Sequence, residues 1–210
     1  MSVINNNIVS EFETTIGVGT INEPIYPCYM YYDYGYFAHI YTNLELGVNR
    51  SVWITGLRFH MVGDSVVNKS ADNQTLKLGQ VNRDEFFINV RNDMTQVPQA
   101  TEAFITSNIS TVKSNFTWTV PEDYNTWLEV LFDTPFQYNP QDANSNLLLL
   151  WENRDGSYLS GSSTPYSECS TSSSLYRSYY DYQDNSMPNT TDYGTRDNTG
   201  RPNIQLIIKV

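Results

Sequence analysis

The 210-residue chain is long enough for one well-buried domain and short for two. Its charged content of 17% is low, and Asn, Ser, Thr and Tyr are abundant, which favours a β-rich domain with polar loops over a helical bundle. Twelve basic against 23 acidic residues give a net charge of −11, with no Lys/Arg run. This charge argues against nucleic acid and against an anionic membrane surface as direct partners.

Alternating apolar side chains predict a series of β-strands along the chain. In SVWITGLRFHMV, Trp53 shares a face with Leu57, Phe59 and Met61. The segments TLKLGQV, AFITSNIS, NFTWTV and WLEVLFDTPF follow as further strands. The last of these places Val130 on one face and Leu131 on the other.

A continuous apolar run, NLLLLWE, predicts a central strand that is covered on both faces. LYRSYYDY and NIQLIIKV complete the set of strands, while the polar segments 156–174 and 183–200 are predicted to be long loops. Eight to ten strands with long connections predict an all-β fold, an antiparallel β-sandwich of the jelly-roll type. Residues 1–15 are predicted to be an N-terminal arm that reaches an adjacent subunit, and residues 16–210 a single sandwich domain.

Groups suited to catalysis or metal binding are scarce in the sequence. Cys28 and Cys169 are expected to be free, part-buried thiols, with one disulfide between them as the alternative. His39 and His60, the two histidines, are expected to be structural, and no zinc-type spacing is present. We therefore predict no catalytic residues, no metal and no cofactor. A glycosidase with a pair of carboxylates stays open as a third class of function.

The N-terminus has neither the basic region nor the apolar core of a secretory signal. It predicts a protein that is kept in the cytoplasm or assembled into a particle there, whereas a secreted origin stays open if Met1 is not the natural start. The longest apolar runs, LLLLW and IQLII, are far shorter than the roughly 20 residues that span a bilayer.

Tyrosine is concentrated in YPCYMYYDYGYFAHIY, the stretch from Tyr26 to Tyr41, and again in LYRSYYDY. Alternation fails around Asp33–Gly35, so the first stretch is predicted to be a loop that leads into a strand, YFAHIY. Most of these rings are expected to pack on the sandwich or to cap it. Rings near the turn and in the second cluster are the candidates for contact with a ligand or partner: Tyr31, Tyr32, Tyr34, Tyr179, Tyr180 and Tyr182.

Several segments in order carry a resemblance to a known family. They are TTIGVGT, PIYPCYMYYDYGYFAHIYTNLELG, ITGLRF, LKLG, WLEVLFDTPFQYNPQDANSNLLLLWENRDGSY and RPNIQLII, which together cover roughly Ile16 to Ile208. The ordered set resembles a jelly-roll-like β-sandwich domain of Bacteroidetes surface and secreted proteins and of virion proteins of their phages. His39 stands where that pattern usually has Gln. The resemblance implies adhesion, carbohydrate association or structural display, and it brings no catalytic residues.

The resemblance and the direct N-terminus together predict a non-enzymatic phage virion structural protein on the virion surface. It would be an auxiliary or decoration capsid protein, or a fibre-associated module, with other virion proteins as partners, the major capsid protein first among them. Its tyrosine-rich loops would face outward, towards a host-surface glycan as a further partner, and a homo-oligomer is compatible with this role. The alternative is an extracellular or cell-surface adhesin or carbohydrate-binding module of a bacterium.

Overall fold

The computed structural model describes residues 10–63, 68–86, 109–122, 125–142, 145–159, 164–171, 174–189 and 194–210. These ranges contain thirteen β-strands and one short α-helix. The elements in chain order are β1 (Glu11–Ile16), β2 (Ile21–Glu23), β3 (Tyr34–Tyr41), α1 (Asn43–Leu46), β4 (Val52–Val62), β5 (Lys69–Val81), β6 (Ser110–Val120), β7 (Asn125–Tyr138), β8 (Asn146–Asn153), β9 (Tyr166–Ser170), β10 (Ser178–Gln183), β11 (Thr195–Asp197), β12 (Arg201–Pro202) and β13 (Ile204–Lys209).

The strands form two antiparallel sheets that pack face to face, which confirms the predicted β-sandwich. Sheet I contains β1, β13, β4 and β7 in that spatial order, and sheet II contains β3, β8, β5 and β6. If these eight strands are numbered along the chain, the orders are first-eighth-third-sixth and second-seventh-fourth-fifth. This double Greek-key order is that of a jelly roll.

The remaining strands extend this frame at one side. β10 and β11 add to sheet II beyond β3, and β9 continues sheet I past the end of β13, with β2 and β12 on its two edges. Three of these strands have only two or three residues, which explains the higher count than the predicted eight to ten. β9 lies inside the segment 156–174, so the prediction of a continuous loop there was wrong. Its inward side chains are the small Ser167 and Cys169, which give no apolar alternation to detect.

The central strand of sheet II is β8, as the apolar run predicted. It is hydrogen-bonded to β3 on one side and to β5 on the other, and every one of its residues is buried. Leu147, Leu149 and Trp151 face the core between the sheets. Leu148 and Leu150 face a second apolar cluster on the outer side of sheet II. Burial on both faces is why this strand shows no alternation.

A bulge in sheet I changes which residues of β4 face the core. Val52 and Ile54 point inward, and after Gly56 the inward positions are Leu57 and its alternate neighbours. The prediction that Trp53 shares the inward face was therefore wrong, and its side chain is 46% exposed. Against β13, Thr55 is one extra residue in β4, and this extra residue reverses the parity of β4. On the other side of β4, residues 132–135 of β7 stand opposite the same residue.

The first strand of the structure begins inside the predicted arm. Glu11–Ile16 pairs along its whole length with β13, while residues 1–9 lie outside the described ranges, so the proposed contact of an arm with another subunit stays a prediction. Most of the predicted strand AFITSNIS (103–110) also lies outside them. No helix among the described residues is long and apolar enough to cross a membrane.

Candidate functional site: a tyrosine array at one end of the sandwich

Seven tyrosine rings meet at one end of the sandwich, and we call this group the tyrosine array. The segment 26–33 before β3 supplies four rings, the end of β10 supplies two, and the turn after β8 supplies one. β10 is paired to β3 in a register that sets Tyr180 opposite Phe37 and Tyr182 opposite Gly35. The members are Tyr26, Tyr29, Tyr31, Tyr32, Tyr158, Tyr180 and Tyr182.

Each ring of the array contacts at least one other ring. Tyr180 and Tyr182 are nearly parallel, with an interplanar angle of 6° and centroids 5.5 Å apart. The ring of Tyr32 lies 4.2 Å from that of Tyr182 and 5.3 Å from that of Tyr31. Tyr158 is the far end, 6.3 Å from Tyr31. These offset and edge-on arrangements are favourable for aromatic pairs, so the rings hold one another in place.

Exposure increases steadily from one end of the array to the other. Tyr26 is buried, and its hydroxyl donates to Asp197 Oδ2 at 2.9 Å. Tyr31 is 38% exposed and Tyr158 is 65% exposed. The array is thus an aromatic surface anchored in the core at Tyr26 and open to solvent at Tyr31 and Tyr158.

Hydrogen bonds from the core fix the loops that carry the array. The buried side chain of Asn153 donates from Nδ2 to the carbonyl of Tyr32 at 3.0 Å and accepts from Gln74 Nε2 at 2.7 Å. The turn after β8 is tied to the first loop by two backbone bonds, from Gly156 N to Asp33 O and from Leu159 N to Met30 O. The exposed rings are therefore presented by a fixed backbone, which reduces the entropy lost on binding.

Burial raises the pKa of several phenol groups in the inner part of the array, Tyr26 among them. Burial, followed by the neighbouring phenol of Tyr180, raises the pKa of Tyr182 to about 12. Burial also raises the pKa of Tyr29 and of Tyr180, where Asp197 adds to the effect. Neutral phenols offer an apolar face and a hydrogen-bonding edge, which suits contact with a partner rather than proton transfer.

The structure brings together four of the six tyrosines predicted as contacts, namely Tyr31, Tyr32, Tyr180 and Tyr182. Tyr179 points to the opposite face of sheet II, where it is buried and its hydroxyl accepts from Gly194 N. Tyr34 is part-buried at the start of β3, with its hydroxyl beside Gly156, and is not a member of the array. Successive residues of a strand face opposite sides of the sheet, so the sequence alone could have placed Tyr179 on the face opposite to Tyr180 and Tyr182.

Sequence reasoning missed three members of the array. Tyr26 and Tyr29 lie in the quoted tyrosine stretch but outside the turn, and Tyr158 lies in the segment predicted to be a loop. Little in the sequence indicated Tyr158, because the backbone hydrogen bonds that hold its turn against residues 30–33 join parts of the chain that are far apart in sequence. Tyrosine density in the stretch 26–34 was the better guide.

The histidines and cysteines lie outside the array, within the packing of the sheets. Cys28 and Cys169 are both buried and unbonded to each other, as expected, and burial raises the pKa of the Cys169 thiol to about 12. His60 lies on the outer face of sheet I, with Nδ1 2.8 Å from Glu168 Oε2 and its ring against Trp127. His39 is fully buried, 4.8 Å from the ring of Tyr26.

Burial and then the charge of Arg201 lower the pKa of His39 from 6.5 to about 3. The Ser178 hydroxyl donates to Gly200 O at 2.8 Å, so it accepts from His39 Nδ1, 3.0 Å away. In the unfolded chain His39 binds a proton as the pH falls below about 6.5, whereas in the folded chain it stays neutral until the pH approaches about 3. Stability is therefore full above pH 6.5 and is lost as the pH falls towards the folded-state pKa.

We expect His39→Gln to flatten the acid side of the stability profile. Urea unfolding between about pH 6.5 and pH 5 measures how steeply the free energy of unfolding falls with pH. This fall should be smaller in the variant than in the wild type by roughly 1 kcal/mol per pH unit. The matched control is His60→Gln, which replaces the other histidine. An unchanged slope in His39→Gln would show that His39 is protonated in the folded chain.

Among the residues that the structure describes, no group of three or more His, Cys, Asp and Glu side chains is placed to hold a metal ion. No model of a known protein family matches this chain, and no curated protein matches it.

Proposed function

We propose that this protein is a non-enzymatic structural component of a phage particle, which docks on other virion proteins and displays the tyrosine array outward. The observation that carries the proposal is the array itself, a fixed and partly exposed aromatic surface at one end of a rigid sandwich. The resemblance to a domain of Bacteroidetes surface proteins and phage virion proteins supplies the setting.

The array has the composition of a recognition surface. Tyrosine rings give a large contact area and lose little rotamer entropy on binding, because each side chain has only two rotatable angles. In this array most ring orientations are already set by neighbouring rings. Tyr31 and Tyr158 have the largest exposed fractions in the array, so a bound partner would cover most surface on these two residues.

Docking on the particle would use β1, the end strand of sheet I. Its other edge is paired to β13, and Glu11, Phe12 and Glu13 on it are exposed. An open strand edge is an aggregation risk that natural proteins cover or charge, and a neighbouring subunit covers it in an assembly. We propose that this edge faces the particle, with the major capsid protein as the first candidate partner.

Mass spectrometry of purified, intact particles tests the docking. We expect the chain to remain with the particles through a density gradient. Intact particles that lack the chain would contradict the proposal. A second measurement separates docking from display, since particles carrying the double variant Tyr31→Ala/Tyr158→Ala should assemble normally. They should attach to host cells about tenfold less well, because stacked aromatic contacts are lost.

The control is Leu131→Ala, which removes a 53% exposed apolar side chain of β7 outside the array. Host attachment of this variant should equal that of the wild type. Equal loss in both variants would mean that the array has no special part in attachment.

A bacterial adhesin or carbohydrate-binding module is the second candidate, favoured by the free ring face of Tyr158. Aromatic rings stack on the apolar faces of sugars, and their hydroxyls bond to sugar hydroxyls. Glycan binding by the isolated protein that disappears in Tyr31→Ala/Tyr158→Ala, together with absence from particles, favours this reading.

A further inference from the structure

A concave groove lies at the end of the sandwich opposite to the tyrosine array. It has a volume of about 620 Å³ and is formed by the first residues of β4 and β6 and the last residues of β5 and β7. In β8, Leu147 pairs with Gln80 at the groove, whereas Asn153 at the other end of the strand supports Tyr32 in the array. The groove is therefore a separate feature, which the proposed function does not use.

The bulge in sheet I builds the wall of the groove. Residues 132–135 of β7 have no paired residues in the β4–β7 register, and two of them, Thr134 and Pro135, line the groove. The same bulge reverses the parity of β4 and leaves Trp53 facing outward on the groove wall. An exposed indole within a concavity is costly to leave in water and gives a flat stacking face.

The groove floor is held rigid by paired amides. Gln80, which is buried, donates from Nε2 to Asn139 O at 2.9 Å and accepts from Asn139 N at 3.0 Å. Asn139 Oδ1 accepts from the Ser51 hydroxyl at 3.2 Å and from Gln141 N at 3.1 Å. These bonds fix the position of the Asn139 side-chain amide in the lining of the groove, as a preformed binding site requires.

The chemistry of the lining points to an uncharged ligand with hydroxyl groups. Amides and hydroxyls supply most of the polar atoms, Asp142 is the single carboxylate, and none of the described lining residues is Lys, Arg or His. Phosphate or carboxylate ligands would find no cation there. We propose that the groove binds a neutral saccharide, with one sugar face stacked on Trp53 and its hydroxyls bonded to Asn139 and Gln137.

The volume agrees with this assignment. Ligand pockets occupy about 300–1,000 Å³, and the groove falls within that range. Because Trp53 in its lining is 46% exposed, the groove suits one end or one branch of a longer glycan better than an enclosed small molecule. The proposal is independent of the docking and display roles, because the groove lining contains no residue of β1 and none of the array tyrosines.

Binding to a panel of neutral mono- and oligosaccharides by the purified, full-length protein tests the proposal. The panel would contain hexoses, N-acetylhexosamines and pentoses, titrated to roughly 10 mM with tryptophan fluorescence and ligand-observed NMR as readouts. We expect at least one sugar to bind, Trp53→Ala to weaken it by about tenfold or more, and Trp53→Phe to retain most of the affinity.

Two controls separate this site from the rest of the molecule. Trp127→Ala removes the part-buried indole beside His60, outside the groove, and should leave the affinity unchanged. Tyr31→Ala/Tyr158→Ala should also leave it unchanged, whereas loss in that variant would place the sugar on the array and overturn the proposal. No binding by the wild type to any sugar of the panel, or equal binding by Trp53→Ala, would overturn it as well. Matching thermal unfolding of the variants confirms that they are folded.

Discussion

Replacing Trp151 by alanine is expected to lower the free energy of unfolding by about 4 kcal/mol. The Trp151 side chain is fully buried at the centre of the sandwich, where it meets three rings from both sheets. Its ring centroid lies 5.6 Å from Phe59, 5.4 Å from Phe116 and 5.3 Å from Trp118, all in edge-on geometry. Alanine would leave a cavity that four strands cannot fill by small movements.

Trp151 is also the start of the hydrogen-bonded chain that reaches the tyrosine array. Its Nε1 donates to Gln74 Oε1 at 2.6 Å, and Gln74 in turn bonds to Asn153, which holds the Tyr32 carbonyl. Trp151→Phe keeps most of the ring contacts but leaves Gln74 Oε1 buried without a donor, which costs about 1–3 kcal/mol.

Urea unfolding at about pH 7 measures both effects, and alanine should be clearly worse than phenylalanine. For a domain of this size, about 4 kcal/mol corresponds to a fall in the melting temperature of roughly 10 °C. The matched control is Trp127→Ala on the outer face of sheet I, for which we expect a change of about 1 kcal/mol or less. Equal loss in the Trp151→Ala and Trp127→Ala variants would mean that Trp151 is not the centre of the core.

Much of this core could be predicted from the sequence, because burial leaves a direct trace in the pattern of apolar residues. The run LLLLW identified β8 as a strand covered on both faces, and both of its clusters are present in the structure. The terminal strand was equally clear, since Ile204, Leu206 and Ile208 alternate inward. The strand count and the long connections predicted the jelly-roll type, whereas the order of the strands in each sheet was not predicted.

The alternation of apolar residues fails as a guide to the core where an irregularity in strand pairing changes the direction of the side chains. Trp53 was placed inward because it shares parity with Leu57, but the bulge opposite residues 132–135 reverses that parity. Gly56 and Pro135 are residues typical of a bulge, but they do not show how many residues it contains or which side chains it turns inward. β9 escaped prediction because its inward residues are Ser167 and Cys169.

Only some members of the tyrosine array could be predicted from the sequence, because the array also depends on the pairing of strands. Tyrosine density drew attention to Tyr31 and Tyr32, and the register between β10 and β3 then brought Tyr180 and Tyr182 to them. Tyr158 joins only through the backbone bonds of its turn to residues 30–33. The groove has no trace in the sequence, because its residues come from four strands that meet only in the fold.

Glu45→Gln is the second substitution with a large expected effect, about 3 kcal/mol of lost stability at neutral pH. Glu45 begins the short helix α1 through a capping box with Thr42, and it receives two bonds from Arg201, Nη2 to Oε1 at 2.5 Å and Nη1 to Oε2 at 3.0 Å. Arg201 is only 5% exposed and packs over the ring of Tyr41. Removing the carboxylate charge would leave a buried guanidinium with only neutral acceptors such as the Ile40 carbonyl.

The loss should depend on pH in a defined direction. Burial acts to raise the pKa of Glu45, but the bonds and charge of Arg201 outweigh it and bring the pKa from 4.5 down to about 2. The ionised carboxylate therefore stabilises the fold fully above about pH 4.5 and loses this effect as the pH falls towards 2. The difference between wild type and Glu45→Gln should shrink steadily across that window.

Urea unfolding at about pH 7 and about pH 3 measures the difference, and Glu13→Gln is the matched control. Glu13 also pairs with an arginine, Arg58, but its side chain is 44% exposed, so its loss should cost about 1 kcal/mol or less at either pH. The contrast follows from desolvation, because Arg58 is partly hydrated and still pairs with Glu129 when Glu13 is changed, whereas Arg201 is buried. A Glu45→Gln variant as stable as Glu13→Gln would show that water reaches Arg201 once the carboxylate charge is lost, and would contradict the prediction.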